Sequence, residues 1–533
     1  MRLLAIGWLI AATACSGPTI TATTCATASD CNLFNVAGTC EATGFCSFPD
    51  ATCAGGSRYS PGAGDELANT CIGGPSACGA KDEVCCGAST CGPDLTCVGE
   101  IESARTCECG ALGEACCDGT TCASGLACSA GTCASSTVLQ VAVGAGHVCA
   151  LRVDKTVWCW GFDWKAYPSG TPGLGASVIA SPTPERIAGL DDVAEIAAGE
   201  MHTCARKADS TLWCWGHNEN GQLGNGTTTH SKIAIQVPGL TGVMRFAGGR
   251  LHTCAVGSYL GAAGVWCWGR NGQGGHATST AIPNLGRLGN GTVTDSAMPV
   301  AVDLTVAAAA GQTVKALSTG GYHSCVVLSD NAVWCWGRNT SSELGDGTTT
   351  PSSVPVKVDL SGITPLPIGV GIEEVSCSDG RRNPASTCIR FGNGAVHCWG
   401  HGTDGELGDG LGASRATPTI ALSTGLGAKP VQLAAGQGAR CARLDDGEIT
   451  CWGTNQNGVL GVGVGGNTRF TTPSHTQVIS GATQLDMSHH SACAVDGMGR
   501  LYCWGTNKRG QAMGRQPADE AESRVLEPYL VTF

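Results

Sequence analysis

At 533 residues, with 80 glycines, 34 cysteines and only 14% charged residues, the chain is too long for one ordinary domain and too rich in turn formers for a helical protein. A formal net charge of -12, with no Lys/Arg-rich run, excludes the basic stripe by which proteins displace counterions from nucleic acid. The cysteine count excludes a reducing cytosol as the folding compartment and points to an oxidising, extracytoplasmic one.

Met1-Arg2 and the apolar segment Leu3 to Ala12, followed by small residues, form a signal peptide over residues 1–14, too short to span a membrane permanently. Ala12-Thr13-Ala14-Cys15 resembles the lipobox of bacterial lipoproteins, with Ala12 where Leu is commoner. That resemblance implies lipidation of Cys15 and a cysteine-free tether over residues 15–24, beginning at Ser16. Cleavage after one of the alanines, releasing a soluble chain, is the alternative. No later stretch of about 20 apolar residues exists, so a membrane is expected only through the lipid anchor, at a bacterial outer membrane or cell surface, or else the protein is secreted.

Eighteen cysteines between Cys25 and Cys133 fall into three groups of six: a module over 25–74, a micro-domain over 75–107 and its duplicate over 108–134. The second group (Cys78, Cys85, Cys86, Cys91, Cys97, Cys107) and the third (Cys109, Cys116, Cys117, Cys122, Cys128, Cys133) share an adjacent pair at the same place. Spans this short cannot bury a sufficient core, so disulfides must substitute for one, with connectivity open. Metal binding is the competing reading, but Cys-Cys pairs without nearby histidines, in an exported chain, suit zinc poorly.

From residue 138 to 533 the chain is organised around seven Cys-Trp-Gly copies, their cysteines 52 to 68 residues apart, which suits a four-stranded propeller blade. In the second copy the strand candidates are Val193 to Ala198, His202 to Ala205, Thr211 to Trp215 and, after a glycine-rich loop, Ile233 to Val237. A second cysteine precedes each copy by ten residues, or thirteen in the third. That spacing fits a tight hairpin with opposed cysteines: Cys149–Cys159, Cys204–Cys214, Cys254–Cys267, Cys325–Cys335, Cys388–Cys398, Cys441–Cys451 and Cys493–Cys503. Cys377 is left over. Side chains alternate along a strand, so Trp160, Trp215, Trp268, Trp336, Trp399, Trp452 and Trp504 project away from the cysteines and are expected as inter-blade core. Trp164, in a loop, is the better candidate for a functional tryptophan.

His-x-Cys-Ala, Cys-Trp-Gly and Gly-Gln-Leu-Gly-x-Gly together resemble the regulator of chromosome condensation repeat family, over about residues 138 to 533. The resemblance implies a seven-bladed propeller, and the fold expected is all-β, that propeller preceded by small disulfide-rich modules. Ser386-Thr387-Cys388 and Ala439-Arg440-Cys441 depart from the histidine form, and the third repeat carries an insertion around Gly272 to Pro283. The founding member's role, nucleotide exchange on a nuclear GTPase, does not fit an exported chain. The ring is expected to close by pairing Glu527 to Thr532, with Leu530, into the first blade.

His147, His202, His252 and His323 recur on different blades, too far apart to share one ion unless they face the axis, and are read as structural. Ser329-Asp330-Asn331 matches one fragment of a penicillin-binding signature but occupies a hairpin turn. No catalytic, metal or cofactor site is assigned, and no enzyme is expected. The functional expectation is a monomeric, surface-anchored binding or scaffold protein whose propeller loops hold a protein or a surface glycan. The alternatives are an enzyme inhibitor, similar to a secreted β-lactamase inhibitor of this fold, and a glycoside hydrolase.

Overall fold

In the computed structural model, backbone and side chains are described for residues 137–161, 182–272, 286–305, 312–363, 369–380, 385–421, 428–466, 468–473, 479–508, 510–515 and 523–533, and the backbone alone for short strands between residues 32 and 135. Cys15, the tether, the side chains of the cysteine-rich modules, Trp164 and most of the third-repeat insertion lie outside the described residues. The chain divides into two units, Met1–Ser136 and Thr137–Phe533. In the first, backbone pairing sets Cys97 opposite Cys107 and Cys128 opposite Cys133, the same two places in the duplicated micro-domains.

The second unit is a seven-bladed propeller of four-stranded antiparallel sheets. Each blade is an up-and-down meander from one repeat: in the second, Val193–Ala198, His202–Lys207, Leu212–Gly216 and Ser231–Gln236 run from the axis outward. Cys204 faces Cys214 with Cα atoms 4.1 Å apart, the close, non-hydrogen-bonded type of pair, and all seven expected disulfides form within their blades. The tight turns explain the fixed spacing of ten. Their left-handed position is held by glycine at Gly394, Gly447 and Gly499, but also by Lys155, Ser210 and Asn331, with φ of 64 to 65°. The preceding Asp or Asn caps the turn in all of these but the one at Gly499, as Asp209 Oδ1 does by accepting the Thr211 N–H at 3.0 Å; before Gly499 stands Met498, whose N–H donates to Asp496 Oδ1 at 2.9 Å.

The repeat motifs make a socket between blades. The seven tryptophans of the Cys-Trp-Gly copies are fully buried. The Trp268 indole N–H donates to the carbonyl of Gln222 in the preceding blade at 2.9 Å, and Trp336, Trp399, Trp452 and Trp504 do the same to Arg287, Glu343, Glu406 and Val459. Two residues after each of these acceptors a glycine lies under the indole: a Cβ on Gly345, at φ +68°, would stand 2.5 Å from Trp399 Nε1. Gly-Gln-Leu-Gly is therefore the receptacle for the next blade's Cys-Trp-Gly, its leucine buried beneath.

Ring closure differs from the expectation. Arg524–Val531 pairs with Leu501–Thr506 as the outer strand of the seventh blade, with Leu530 opposite Tyr502, so the segment is not part of the first blade. The first blade has four strands of its own, with Val138–Val143 as the inner one and Glu185–Arg186 as the outer one. Because every blade coincides with one repeat, no strand is left to exchange, and the seam is held by one backbone bond, Val138 N–H to Gly499 O at 2.8 Å, and by side chains. Gln484 accepts the Val141 N–H at 2.9 Å and returns an N–H to its carbonyl at 3.2 Å; Asp486 Oδ2 accepts the Val143 N–H at 2.7 Å. Trp160 enters the seventh blade's loop, donating to Gln511 O at 3.1 Å. Phe533 meets Trp160 edge to face and lies over the Arg152 guanidinium, so aromatic packing rather than strand pairing carries that end to the first blade.

Candidate functional site

The inner strands of all seven blades line an axial channel of about 360 Å³. Just beyond each inner strand one residue per blade turns across its mouth: Ala145, Glu200, Arg250, Gly321, Asp379, Gln437 and His489. Backbone bonds knit this rim, among them Ala145 N–H to Glu200 O at 3.0 Å and Gln437 N–H to His489 O at 3.0 Å. Approach is so close that a Cβ on Gly321 would stand 1.6 Å from Asp379 O. Arg250 pairs with Glu200 at 2.6 Å, and His489 Nε2 lies 3.4 Å from Asp379 Oδ2 and 4.0 Å from Glu200 Oε1. Blades two, three, five and seven thus supply a nearly buried charge cluster that bars one end of the channel. Deeper in, at a level otherwise lined by Ala and Ser, burial pushes the Asp486 carboxyl up to about 7, against the lowering effect of the Val143 and Met487 N–H groups.

Histidines 147, 202, 252 and 323 lie between blades, not on the axis. His147 Nε2 bonds Thr203 Oγ1 at 2.8 Å, His202 bonds Thr253 at 2.8 Å, His252 bonds Ser324 at 2.9 Å and His323 bonds Thr387 at 2.8 Å. Burial lowers His147 to about 4, His202 and His323 to about 3, and His252 well below its ordinary value, so all four are neutral struts. Where the fifth repeat has Ser386 in place of the histidine, Arg440 of the sixth blade reaches back, bonding Ser386 O at 2.8 Å and Ser376 O at 3.2 Å.

Among the described residues three groups bring metal-ligand types together. In His217, Glu219 and His230, the Asn218 N–H donates to His230 Nδ1 at 2.8 Å and Gln222 Nε2 to His217 Nδ1 at 2.7 Å. The Gln222 amide is oriented by its Oε1, which accepts the Asn220 N–H at 3.1 Å. Both neutral rings therefore keep their proton on Nε2, facing Glu219 at 3.5 and 3.7 Å, where a metal would need a bare nitrogen. This is a clasp on a carboxylate. In His401, Asp404 and Glu406, the His401 Nδ1 meets Glu406 Oε1, Oε2 takes the Asp404 N–H at 2.9 Å, and Asp404 pairs with Arg469 at 3.1 Å. Burial lowers the His401 pKa, but the Glu406 hydrogen bond and the Glu406, Asp404 and Glu343 charges raise it overall, making an ion-paired loop lock. The third group, His323, Cys325 and Cys377, joins a buried free thiol to the fourth blade's disulfide.

Residues 138–163, 193–222 and 314–343 match one profile of the regulator of chromosome condensation (RCC1) repeat, and residues 209–256 and 330–380 match a second. The matched segments are RCC1 repeats and fall in the first to fifth blades. The Arabidopsis thaliana ultraviolet-B receptor UVR8 is 28% identical over 59% of this chain and 66% of its own length. The human E3 ubiquitin-protein ligase HERC2 is 26% identical over 71% of this chain but only 7% of its own length. Prp20p from Saccharomyces cerevisiae, whose structure was described with its binding to Gsp1p and histones, superposes with a TM-score of 0.56 at 16% identity, covering 75% of this chain and 88% of its own. Human WBSCR16 does so at 0.52 and 20%, covering 68% and 88%. These two show a shared fold alone. The repeat matches and the likeness to UVR8 suggest a binding or regulatory protein.

The axial charges were not singled out in the sequence. The signal was there for Glu200 and Arg250, two residues before the histidine of His-x-Cys, but Asp379 is displaced by the longer connection before Ser386 and His489 precedes Ser491, so the position reads as variable loop.

Proposed function

We propose that this chain is a non-enzymatic binding protein, held outside the cytoplasm by a lipid on Cys15, whose propeller presents one face of variable loops to a protein partner. The observation that carries the reading is how each blade's polar groups are used. The recurring histidines and the Gly-Gln-Leu-Gly carbonyls bond a neighbouring blade, the axial charges bond across the ring, and each hairpin is cross-linked. Such a scaffold holds loops rigidly, which lowers the entropy lost on binding. The loops between the third and outer strands share the face with the axial cluster, since successive connections of an antiparallel meander alternate between two faces. Their composition differs from blade to blade, and Glu219 and Arg469 are 66% and 58% exposed. Disulfides in every blade support an oxidising compartment. Among the described residues no helix is long and apolar enough to cross a membrane.

The test is affinity capture from an envelope extract, followed by direct binding of the captured protein to the purified full chain. Glu219→Lys with Arg469→Glu is expected to weaken binding at least tenfold, with a cooperative melt lowered only by the loss of exposed ion pairs, about 1 kcal/mol each at most. Capture of a single enzyme that loses activity on binding would instead favour inhibition, a captured polysaccharide would make glycan the ligand, and turnover of a glycoside would overturn the reading.

A further inference from the structure

We infer that Cys377 is the internal nucleophile of a thiol–disulfide exchange that moves the fourth blade's cross-link onto its interface with the fifth blade. Cys377 ends the fifth blade's inner strand, Ile372–Cys377, where the other repeats carry Val143, Ala198, Gly248, Thr319, Ala435 and Met487. Its Sγ lies within 4.8 Å of Cys325 Sγ, the sulfur already bonded to Cys335, and the three cysteines share one buried core. The approach is held by Ser318: the Cys377 N–H donates to Ser318 Oγ at 3.0 Å, tying the fifth blade's inner strand to that of the fourth, and the thiol donates to Ser318 O at 3.7 Å. Cys325 and Cys335 are fully buried, so dissolved thiols are screened from a bond that an internal sulfur already faces.

In the exchange Cys377 gives up its thiol proton and its sulfur attacks Cys325 Sγ. The Cys325–Cys335 bond breaks, the electron pair leaves on Cys335, and Cys335 takes up a proton. One disulfide and one thiol stand on each side, so no oxidant or reductant is consumed. The product joins the second strand of the fourth blade to the inner strand of the fifth, turning a staple within one sheet into one between two sheets. The cross-linked loop lengthens from a separation of 10 residues to the 52 that separate Cys325 from Cys377, which restrains the unfolded chain more. Burial holds the Cys377 thiol up to about 12, against the lowering effects of Ser318, Arg440 and Thr387, so exchange is slow at neutral pH and quickens roughly tenfold per pH unit below that value.

The test uses the native, oxidised full chain without reductant at pH 7 and pH 9, quenched in acid, alkylated in denaturant and mapped as peptides. Alkylation is expected to move from Cys377 to Cys335 while a Cys325–Cys377 peptide accumulates, about a hundredfold faster at pH 9. Alkylation confined to Cys377 at both pH values would overturn the proposal, as would release of Cys335 in a Cys377→Ser chain, which would make the attacking thiol another one. In a Cys335→Ser chain, glutathione disulfide is expected to join Cys325 to Cys377. Separate glutathionylation of the two in a natively folded variant would also overturn it, and the wild-type mapping decides the matter if that variant does not fold.

Discussion

The interface between the second and third blades and that between the fifth and sixth occupy the same place in the repeat but are bridged from opposite sides. In the former His202 of the leading blade reaches Thr253 of the following one; in the latter Arg440 of the following blade reaches back over Ser386 of the leading one. Two residue positions are rewritten together, small for large and large for small, and the space between blades stays filled and bonded. The constraint is therefore on the pair and not on either residue. Where both positions are small, as with Ala439 and Ala492, the polar strut disappears, while Gln432 exchanges hydrogen bonds with the Leu485 backbone at 2.7 and 3.1 Å, a clasp that Gln140 also makes on Ile196 beside an intact His147–Thr203 strut. Gln484 repeats that clasp at the seam.

The sharpest way to break this comparison is Arg440→Thr, which strips Ser376 and Ser386 of a fully buried partner and is expected to cost about 4 kcal/mol in chemical denaturation. Adding Ser386→His should return the chain to within about 1 kcal/mol of wild type, because it recreates the strut of the earlier blades. A double variant no better than the single one would show that the two positions are independent. Gly345→Ala should cost about 3 kcal/mol, since its Cβ meets the Trp399 indole at 2.5 Å, whereas Gly347→Ala, at φ +79° with nothing within 4 Å, should cost about 1 kcal/mol of backbone strain. Equal losses would mean that the socket is not the reason for glycine.

His202→Ala should cost about 2 kcal/mol at pH 7.5. The folded-state pKa of about 3 lies below the unfolded value, so the wild-type contribution is fully present above pH 6.5 and is lost as pH falls towards 3, by up to about 1.4 kcal/mol per pH unit. The gap between variant and wild type should therefore narrow in acid, and a constant gap from pH 7.5 to 4.5 would contradict a neutral strut. At the seam the sign reverses. Asp486 is raised to about 7, so its contribution is present below its ordinary value near 3.8 and lost as pH rises through 7. Asp486→Asn should gain about 1 kcal/mol on wild type between pH 5 and pH 8, the smallest of these effects because the carboxyl borders the channel. A variant that falls behind at pH 8 would show that the seam needs the ionised carboxylate.

What the sequence determines here is local. A separation of ten between cysteines, with Asp or Asn and then a residue suited to left-handed backbone at the turn, leaves one register for each hairpin, and alternation then sends Trp215 and its equivalents to the opposite face. Repetition extends that result to seven blades. The choices that involve distant partners were open: whether Leu530 serves the first blade or the seventh depends on where each repeat begins within its blade, and both phasings satisfy the same strand pattern. The axial cluster depends on that phasing as well, since Glu200, Asp379 and His489 are brought together only when the ring closes. Residues on separate blades have no spacing that encodes their meeting, so closure, the bonding of Ser386 to Arg440 and the approach of Cys377 to Cys325 were decided by the tertiary structure alone.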